Sequence, residues 1–575
     1  MPESRRAAID AAPFTLRSQA VGALPVVNVF LDRVGLPGLL ERYLPRDDPR
    51  LRLAPAAVIG VVVRNLLVAH RPVYALGEWA EQYAPGLLGL AGDDVGALND
   101  DRVGRMLDRL FDADRASLLT ETVLAVIDRF GVDVSQLHND STTVTVTGAY
   151  QDADGYRRGG KPTPAIRHGH HKDFRPDLKQ LLFILTVSAD GAVPVAFRSG
   201  DGNTPDDPTH IPTWDGLARL FGRADFLYVA DAKLASADAM RHIDRNHGRF
   251  VTVLPRGRRE DTWFRDWAQT HAPDWAEAAR YPGARLDDPE QVWRTFVAPA
   301  PSAEGYRVIW VHSSAKAARD AAGRATLIEK GLAAVDAVAA RLAGPKSRLR
   351  TRVAAEQAAA AALAEAGAAR WVGFQITETA QATYHQERRG RPSAATRYRR
   401  RVKTVFTITA AVDAERVAYD AATDGCFPLV TNADDLTPAQ TLAAYRYQPN
   451  LERRHHMLKG PQEVAPVFLE NAHRIEALLH CHFLAMLVEA LIEREIRNSM
   501  TAAGLTGIPL YPELRDCPRP SAPRILEIFA HVQRHQLISG EDVVQLFPPE
   551  LSPLQRHVLE LLHIPADVYT AASTA

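Results

Sequence analysis

Residues 134–146, VSQLHNDSTTVTV, decide the fold of this chain. The β-branched run predicts a strand, and it carries a single acid, Asp140. Two more acids answer it far downstream. Asp231 ends the apolar run ADFLYVAD, and Glu452 sits in AAYRYQPNLERRHHMLKG, a helix-like segment dense in Arg and His. Two strand-borne aspartates and one helix-borne glutamate are the donor set that holds two Mg²⁺ ions about 3.5–4 Å apart for phosphoryl transfer. Hard divalent cations take oxygen ligands, and Mg²⁺ takes few carboxylates, completing its shell with water and phosphate. The pattern therefore predicts polynucleotidyl-transferase chemistry.

The bulk properties bound that reading. At 575 residues the chain is too long for one core. Its 46% hydrophobic and 24% charged content is that of an ordinary globular protein. No run reaches the roughly 18 apolar residues of a membrane span, and MPESRRAAIDAAPF lacks a signal-peptide apolar region. Cys426, Cys481 and Cys517 are isolated, without a CxxC pair, so a disulfide framework and a zinc knuckle are both unsupported. A reducing cytoplasm is expected. A net charge of −1 advertises no nucleic-acid partner, so DNA affinity must come from local clusters of Lys and Arg.

Residues 1–130 read as a helical domain, with amphipathic stretches near 25–44, 53–69 and 98–130. Acids outnumber arginines there and the first lysine is Lys161, so electrostatics favour a packing role over DNA contact. From 131 to 258 the pattern changes. Three strand-like runs (QLHNDSTTVTVTG, LKQLLFILTVSADG and VPVAFRSGDG) precede a helix, the ADFLYVAD strand, a second helix and RFVTVLP. That is α/β organisation with a mixed sheet. Asp231 falls where a strand meets its loop, the usual place for a site in such sheets.

A β-rich insertion is expected at 259–425, with an Ala-rich helical hairpin near 315–367 broken at GPKS. The core should resume at 426–500, and 501–575 reads as a tail of short helices punctuated by Pro. Pro449 suits the first position of a new helix, which places Glu452 in a first turn where the macrodipole favours a carboxylate.

On these residues the chain resembles the DDE transposases of bacterial insertion sequences, in the insertion-sequence-four superfamily. Their signature around the glutamate is Y-x2-R-x3-E-x6-K, and here the frame reads Tyr445, Gln448, Glu452 and Lys459, with Gln in place of Arg. HGHHKDFRPDLKQLLFILTVSADGAVPVAFRSGDGNTPDD resembles the family's segment between the two aspartates, and LNDDRVGRMLDRLFDAD a helical leader of some members. The resemblance implies an α/β fold with a ribonuclease-H-like mixed-sheet catalytic core, interrupted by the β-rich insertion, between an all-helical N-terminal domain and a helical C-terminal tail. It implies Asp140, Asp231 and Glu452 as catalytic residues and as ligands of two Mg²⁺ (or Mn²⁺) ions. It also implies cleavage at transposon ends and transfer of the 3′-OH into target DNA. The partners would be double-stranded DNA (terminal inverted repeats and target) and a second copy of the chain in a homodimer, in a bacterial cytoplasm and not in a membrane.

The spacing carries its own argument. At 100° per residue, Tyr445, Gln448, Glu452 and Lys459 share one DNA-facing side of a continuous helix, from which Lys459 would reach a DNA phosphate beside the metal bound by Glu452. A kink at Pro449 would detach Tyr445 and Gln448 and leave Glu452 and Lys459 aligned. Gln448 cannot make the charged bidentate phosphate contact of an arginine.

Further DNA contacts are expected from QERRGRPSAATRYRRRVK, which holds eight Arg or Lys between Arg388 and Lys403, among them Arg389, Arg399, Arg400 and Arg401. Lys172 and Arg175 form a second basic segment near Asp140. Each signal has a plainer reading. A charge run is ordinarily a solvated face, and a lone aspartate after a strand is ordinarily a cap. Asp201, Asp206 and Asp207 compete as loop acids near the same sheet edge. The HCH at 480–482 lies in an apolar helix and reads as core, as does Trp371. A ribonuclease-H-like nuclease that cuts without joining shares the triad, and a catalytically silent DNA-binding regulator descended from a transposase is a further alternative.

Overall fold

The computed structural model describes residues 14–170, 175–283, 288–344, 347–460, 469, 471–540 and 542–571. The chain divides into two compact units, Met1–Thr252 with Ala443–Ala575, and Val253–Leu442. The second unit begins a few residues before the insertion expected at 259–425 and ends some way past it.

Five strands organise the first unit: β1 (Gln136–Val146), β2 (Lys179–Ser188), β3 (Pro194–Gly200), β4 (Leu227–Ala230) and β5 (Arg249–Val253). Their order is β3-β2-β1-β4-β5. The first three form an antiparallel meander, and β4 joins β1, and β5 joins β4, in parallel. Helices His210–Phe221 and Ala237–Arg245 make the two crossovers that parallel pairing requires. β2 reads KQLLFILTVS, an almost unbroken apolar run, because nearly all of it is buried.

Helix Ala472–Ala502 is apolar around most of its girth, and 89% of its most apolar window is buried. It packs on helices Pro55–Val68 and Asp100–Asp112 and on β3. His480, Cys481 and His482 lie inside this helix, and the His480 ring meets Phe197 of β3 edge-on at 5.5 Å. The N-terminal helices are Leu24–Val34, Leu36–Tyr43, Pro55–Val68, Asp100–Asp112 and Arg115–Phe130. Two expected helices are thus divided. Gly35, at φ 77°, separates the first pair. Asp114 caps the last helix by accepting the Ser117 N–H at 3.1 Å.

The termini correct the all-helical expectation. Phe14–Ala20 is a strand, antiparallel to Gln533–Ser539, which pairs in turn with Asp542–Phe547. Within RPSAPRILEIFAHVQRHQL, part of the tail expected to be helical, only Ala522–Glu527 is α-helix. Beyond it, QRHQLIS finds a ladder partner more than 500 residues earlier, as in the Ser18–His535 side-chain hydrogen bond of 2.8 Å. Such tertiary pairing outweighs a weak local preference.

The second unit contains β6 (Ala276–Tyr281), β7 (Gln291–Val297), β8 (Arg307–Ser313), β9 (Val372–Gln386), β10 (Tyr398–Val412) and β11 (Cys426–Thr431). β6, β7, β8 and β11 pair antiparallel in that order. β9 and β10 form a separate two-stranded ribbon of 15 residues per strand, in register from Val372↔Val412 to Gln386↔Tyr398. Helices Ser314–Ala343 and Arg352–Glu365 form the expected Ala-rich hairpin. They pack on the ribbon's base through Val335, Val338, Ala355, Ala359 and Leu363 against Val372 and Ile408. Trp371 is partly buried at that base and donates its indole N–H to Asp420 at 2.7 Å.

Burial sets an acid limit on the first unit. It lowers the His138 imidazole to about 4 and those of His480 and His482 to about 3. The unfolded chain takes up these protons near pH 6.5 and the folded one does not, so stability is full above pH 6.5 and declines below it. Between pH 6.5 and 5, where carboxylates contribute least, the urea midpoint of the wild type should fall. His480→Met/His482→Met should flatten that slope. An unchanged slope would mean that both imidazoles titrate freely in the fold.

Candidate active site and nucleic-acid interface

The ladder between β1 and β4 runs in parallel to its last pair, Asn139↔Ala230. Asp140 follows on β1, and Asp231 follows the end of β4. The Asp140 side chain is 22% exposed, enough to meet solvent or a ligand. Its Oδ1 accepts the Ser141 N–H at 2.7 Å, and its Oδ2 lies 3.7 Å from His455 Nδ1. Asp231 caps the 3₁₀ turn Ala232–Ala235, accepting the Lys233 N–H at 3.0 Å, while Thr252 Oγ1 donates to its backbone carbonyl at 2.6 Å. The pairing of β1 with β4 thus ends one residue before each aspartate.

Glu452 lies exposed in the first turn of helix Pro449–Lys459, which starts afresh after a turn at 446–448. Pro449 at the first position accounts for the restart. The helix ends with His456 and Lys459, so its acid and its bases both suit the dipole. The four signature positions do not share one continuous helix: Tyr445 ends the preceding helix, Pro438–Tyr445. Gln448, expected on the DNA face, is turned inward and is only 6% exposed. Its Oε1 pairs with His138 Nδ1 at 2.9 Å, and its Nε2 donates to the Asn139 carbonyl at 3.1 Å. An uncharged amide supplies the donor and acceptor that this buried position needs. Gln448 thus ties the Glu452 helix to the strand residues just before Asp140.

Arg454, two residues past Glu452, is also buried. Its guanidinium donates to the carbonyls of Gly191 and Ala192, both at 3.1 Å, and to Glu493 of the long helix at 3.0 Å. The sequence pattern singles out neither Arg454, Gln448 as a buried tie, nor His455. Its one visible signal is the density of Arg and His around Glu452.

Electrostatics relate the three acids to a common neighbour. Burial, followed by the charges of Asp231, Glu452 and Asp140, pushes the Tyr445 hydroxyl up to about 12. Burial first, then Asp231 and Asp140, raises Tyr228 on β4 well above its usual value, with Arg198 opposing. Three anionic oxygen donors suit a hard divalent cation. Among the described residues, however, no three His, Cys, Asp or Glu side chains stand in one coordination sphere. The loop acids have separate roles. Asp206 accepts from Ser141 Oγ at 2.5 Å beside Asp140, Asp207 pairs with Lys233 at 3.5 Å, and Asp201 accepts the Ala165 N–H at 2.8 Å.

The remaining basic candidates lie elsewhere. Lys459 closes its helix, half-buried. Arg175 is exposed and bidentate on Asp177, at 2.9 and 2.8 Å. Lys172 falls outside the described residues. Arg388 and Arg389 occupy the exposed tip of the ribbon, and Arg399, Arg400, Arg401 and Lys403 its outer half. None of these six has an ion pair among the described residues. Directly paired residues share a face, so Arg399 with His385, Arg401 with Thr383 and Lys403 with Gln381 line one side. Arg400 and Tyr384 point to the other. The first side continues through Val405, Thr407 and Thr409 opposite Thr379, Thr377 and Gln375, and carries no acid along the paired strands.

Residues 16–124 match a family model described as a domain of unknown function, DUF4277. No curated protein matches the chain. Among solved structures, the piggyBac transposase synaptic complex with hairpin DNA is similar at a TM-score of 0.37 and 7% identity, covering 88% of this chain and 79% of that one. A likeness of that size carries no argument about this chain's activity.

The inward role of Gln448 has a measurable consequence. Gln448→Leu leaves His138 Nδ1 and the Asn139 carbonyl without their partner, at a cost of about 1–3 kcal/mol in unfolding free energy. Chemical denaturation of the purified variant measures it. A loss below about 0.5 kcal/mol, within the range of ordinary surface substitutions, would show that the amide is not structurally required.

Proposed function

We propose that this chain is a DNA transposase of the DDE type, in the manner of the insertion-sequence-four superfamily, with Asp140, Asp231 and Glu452 as its catalytic carboxylates. The observation that supports the reading is the parallel pairing of β1 with β4 up to the residues just before Asp140 and Asp231, together with the charges of Asp231, Glu452 and Asp140 all reaching Tyr445. The strand order β3-β2-β1-β4-β5, with three antiparallel strands and two parallel ones, supports a ribonuclease-H-like core. The three carboxylates would hold two Mg²⁺ (or Mn²⁺) ions, which when bound supply charge stabilisation at the phosphoryl oxygens.

The chain's own residues position and compensate. The Ser141 N–H and His455 orient the Asp140 carboxylate, and the Lys233 N–H orients that of Asp231. Gln448 and Arg454 hold the Glu452 helix against the sheet. Tyr445 stays a neutral phenol at physiological pH, so it adds a polar group and no further negative charge. Lys459, two turns beyond Glu452, contacts a neighbouring DNA phosphate, and the basic face of the ribbon carries more of the duplex. The working unit is a homodimer pairing two element ends, and cleavage is followed by attack of the freed 3′-OH on target DNA.

Asp140→Asn, Asp231→Asn and Glu452→Gln keep side-chain shape and remove ligand charge. Each is expected to abolish Mg²⁺-dependent nicking of a labelled duplex from the element end while leaving its gel shift largely intact. Near wild-type nicking by any one would remove that residue from the site and make Asp206 the next acid to test. Strand-transfer products in the same assay distinguish a transposase from a nuclease that only cuts.

The ribbon separates its faces. Replacing Arg399, Arg401 and Lys403 together by Ala should weaken binding to specific and random duplexes alike. It should also make the salt slope shallower by about 0.9 for each phosphate that is no longer neutralised. Arg400→Ala, on the opposite face, should change it by less. Equal effects per residue from both faces would mean a diffuse charge effect and no docking face.

A further inference from the structure

Beside the Glu452 helix, within the first unit, lies a cavity of about 210 Å³ with five arginines in its wall. Arg453, Arg454, Arg494, Arg497 and Arg519 line it, against two acids, Asp190 and Glu493. Three of these arginines serve the fold. Arg494 is bidentate on Asp190 at 2.9 and 2.7 Å. Arg454 and Arg497 share Glu493 at 3.0 and 3.2 Å, and Arg497 also holds the Pro520 carbonyl. Arg453 and Arg519 are surplus to that network. Both are exposed, and among the described residues neither has an ion pair. Among the described residues Arg519 donates only to the neutral Asn450 Oδ1, at 3.3 Å.

The excess of charge is local. Five guanidinium groups face two lining carboxylates. Counting Glu495, which accepts from Arg494 at 3.0 Å, the cations still exceed the acids. The arginines also act on one another. Burial lowers Arg497, Glu493 opposes, and the charges of Arg454, Arg519 and Arg453 add to the lowering. Asn450, Asn498 and Tyr447 add neutral polar groups to the wall, and the 189–192 turn closes it. Like charges gathered around a concave, partly enclosed space are relieved by an anion within it, and guanidinium forks match the oxygens of a phosphate.

We propose that this cavity is a phosphate-binding site, with the anion held among Arg453, Arg497 and Arg519. The phosphate comes either from a nucleic-acid backbone or from free solution. The site does not rest on the transposase reading, because none of Asp140, Asp231 and Glu452 lines it.

Arg453→Gln and Arg519→Gln, singly and together, remove surplus charge from exposed positions and leave the buried Arg454–Glu493 pair in place. The melting temperature of the full chain is measured in inorganic phosphate and in chloride at equal ionic strength. Phosphate should raise it by a few degrees in the wild type, as a ligand of the folded state does, and the double variant should lose most of that gain. A wild type that gains nothing over chloride, or a double variant that keeps the whole gain, overturns the site.

A second arm identifies the source. If the double variant also binds duplex DNA about tenfold more weakly, with a salt slope shallower by about 0.9 per phosphate, the phosphate is that of the backbone. If duplex binding is unchanged while the phosphate gain is lost, the site takes free phosphate. Loss of Mg²⁺-dependent nicking in the carboxylate variants bears on neither arm, so failure of the enzymatic reading and failure of this site are separable.

Discussion

The buried ion pair between Arg454 and Glu493 is the constraint on which the candidate site depends. Its side chains are 2% and 1% exposed. Desolvating two charges is expensive, and the cost is offset only where the remaining donors and acceptors are also satisfied. Here they are. Arg454 takes the Gly191 and Ala192 carbonyls between β2 and β3, and Glu493 takes the Ala522 N–H at 3.0 Å and Arg497 at 3.2 Å. One guanidinium therefore joins three elements: the Glu452 helix, the β2–β3 turn and the long central helix. Truncating either partner would strand a charge in the interior, which typically costs about 3–5 kcal/mol.

That pair acts together with a neutral one. Gln448 reaches from the start of the same helix to His138 and to the backbone of Asn139. The two ties lie on either side of Glu452 in sequence, at positions 448 and 454, and face inward while Glu452 faces out. A helix held at both ends of its first two turns has little freedom to rotate, so the direction of the Glu452 carboxylate is set by groups that never meet the solvent. The aspartates need no such device. The backbone ladder pairs Asn139 with Ala230, the residues just before them, and each carboxylate is trimmed by a main-chain N–H.

Much of this is legible in the sequence. Asp140 lies in a β-branched run, Asp231 at the end of an apolar one, and Glu452 just after a proline, and the elements form at those places. What cannot be read is direction and distance. Gln448 looks like a weakened phosphate ligand because helical spacing puts it on the Glu452 face, yet the restart at Pro449 turns it inward to a partner 310 residues away. The terminal sheet escapes for a related reason. FTLRSQA and QRHQLIS are short and mostly polar, and neither shows that the other is its ladder partner. Arg454 and His455 are visible only as part of a basic cluster, since side-chain burial is decided by what packs above the helix. Periodicity reports local geometry, and these residues owe their roles to remote elements.

The ribbon shows the same period-2 code used for two purposes along one strand. On one face Val372, Phe374, Ile376, Ile408 and Ala410 pack on the helical hairpin. Further out, the opposite face presents Arg399, Arg401 and Lys403 with hydroxyl and amide neighbours. Because side chains alternate strictly, a one-residue slip of β10 would turn Ile408 into solvent and swing the three basic residues toward the hairpin side. Burial of the base therefore specifies which way the outer charges face. This also reconciles a chain of net charge −1 with a basic surface: the acids are distributed elsewhere, and the register of a small apolar core concentrates the cations on one side of a projecting ribbon.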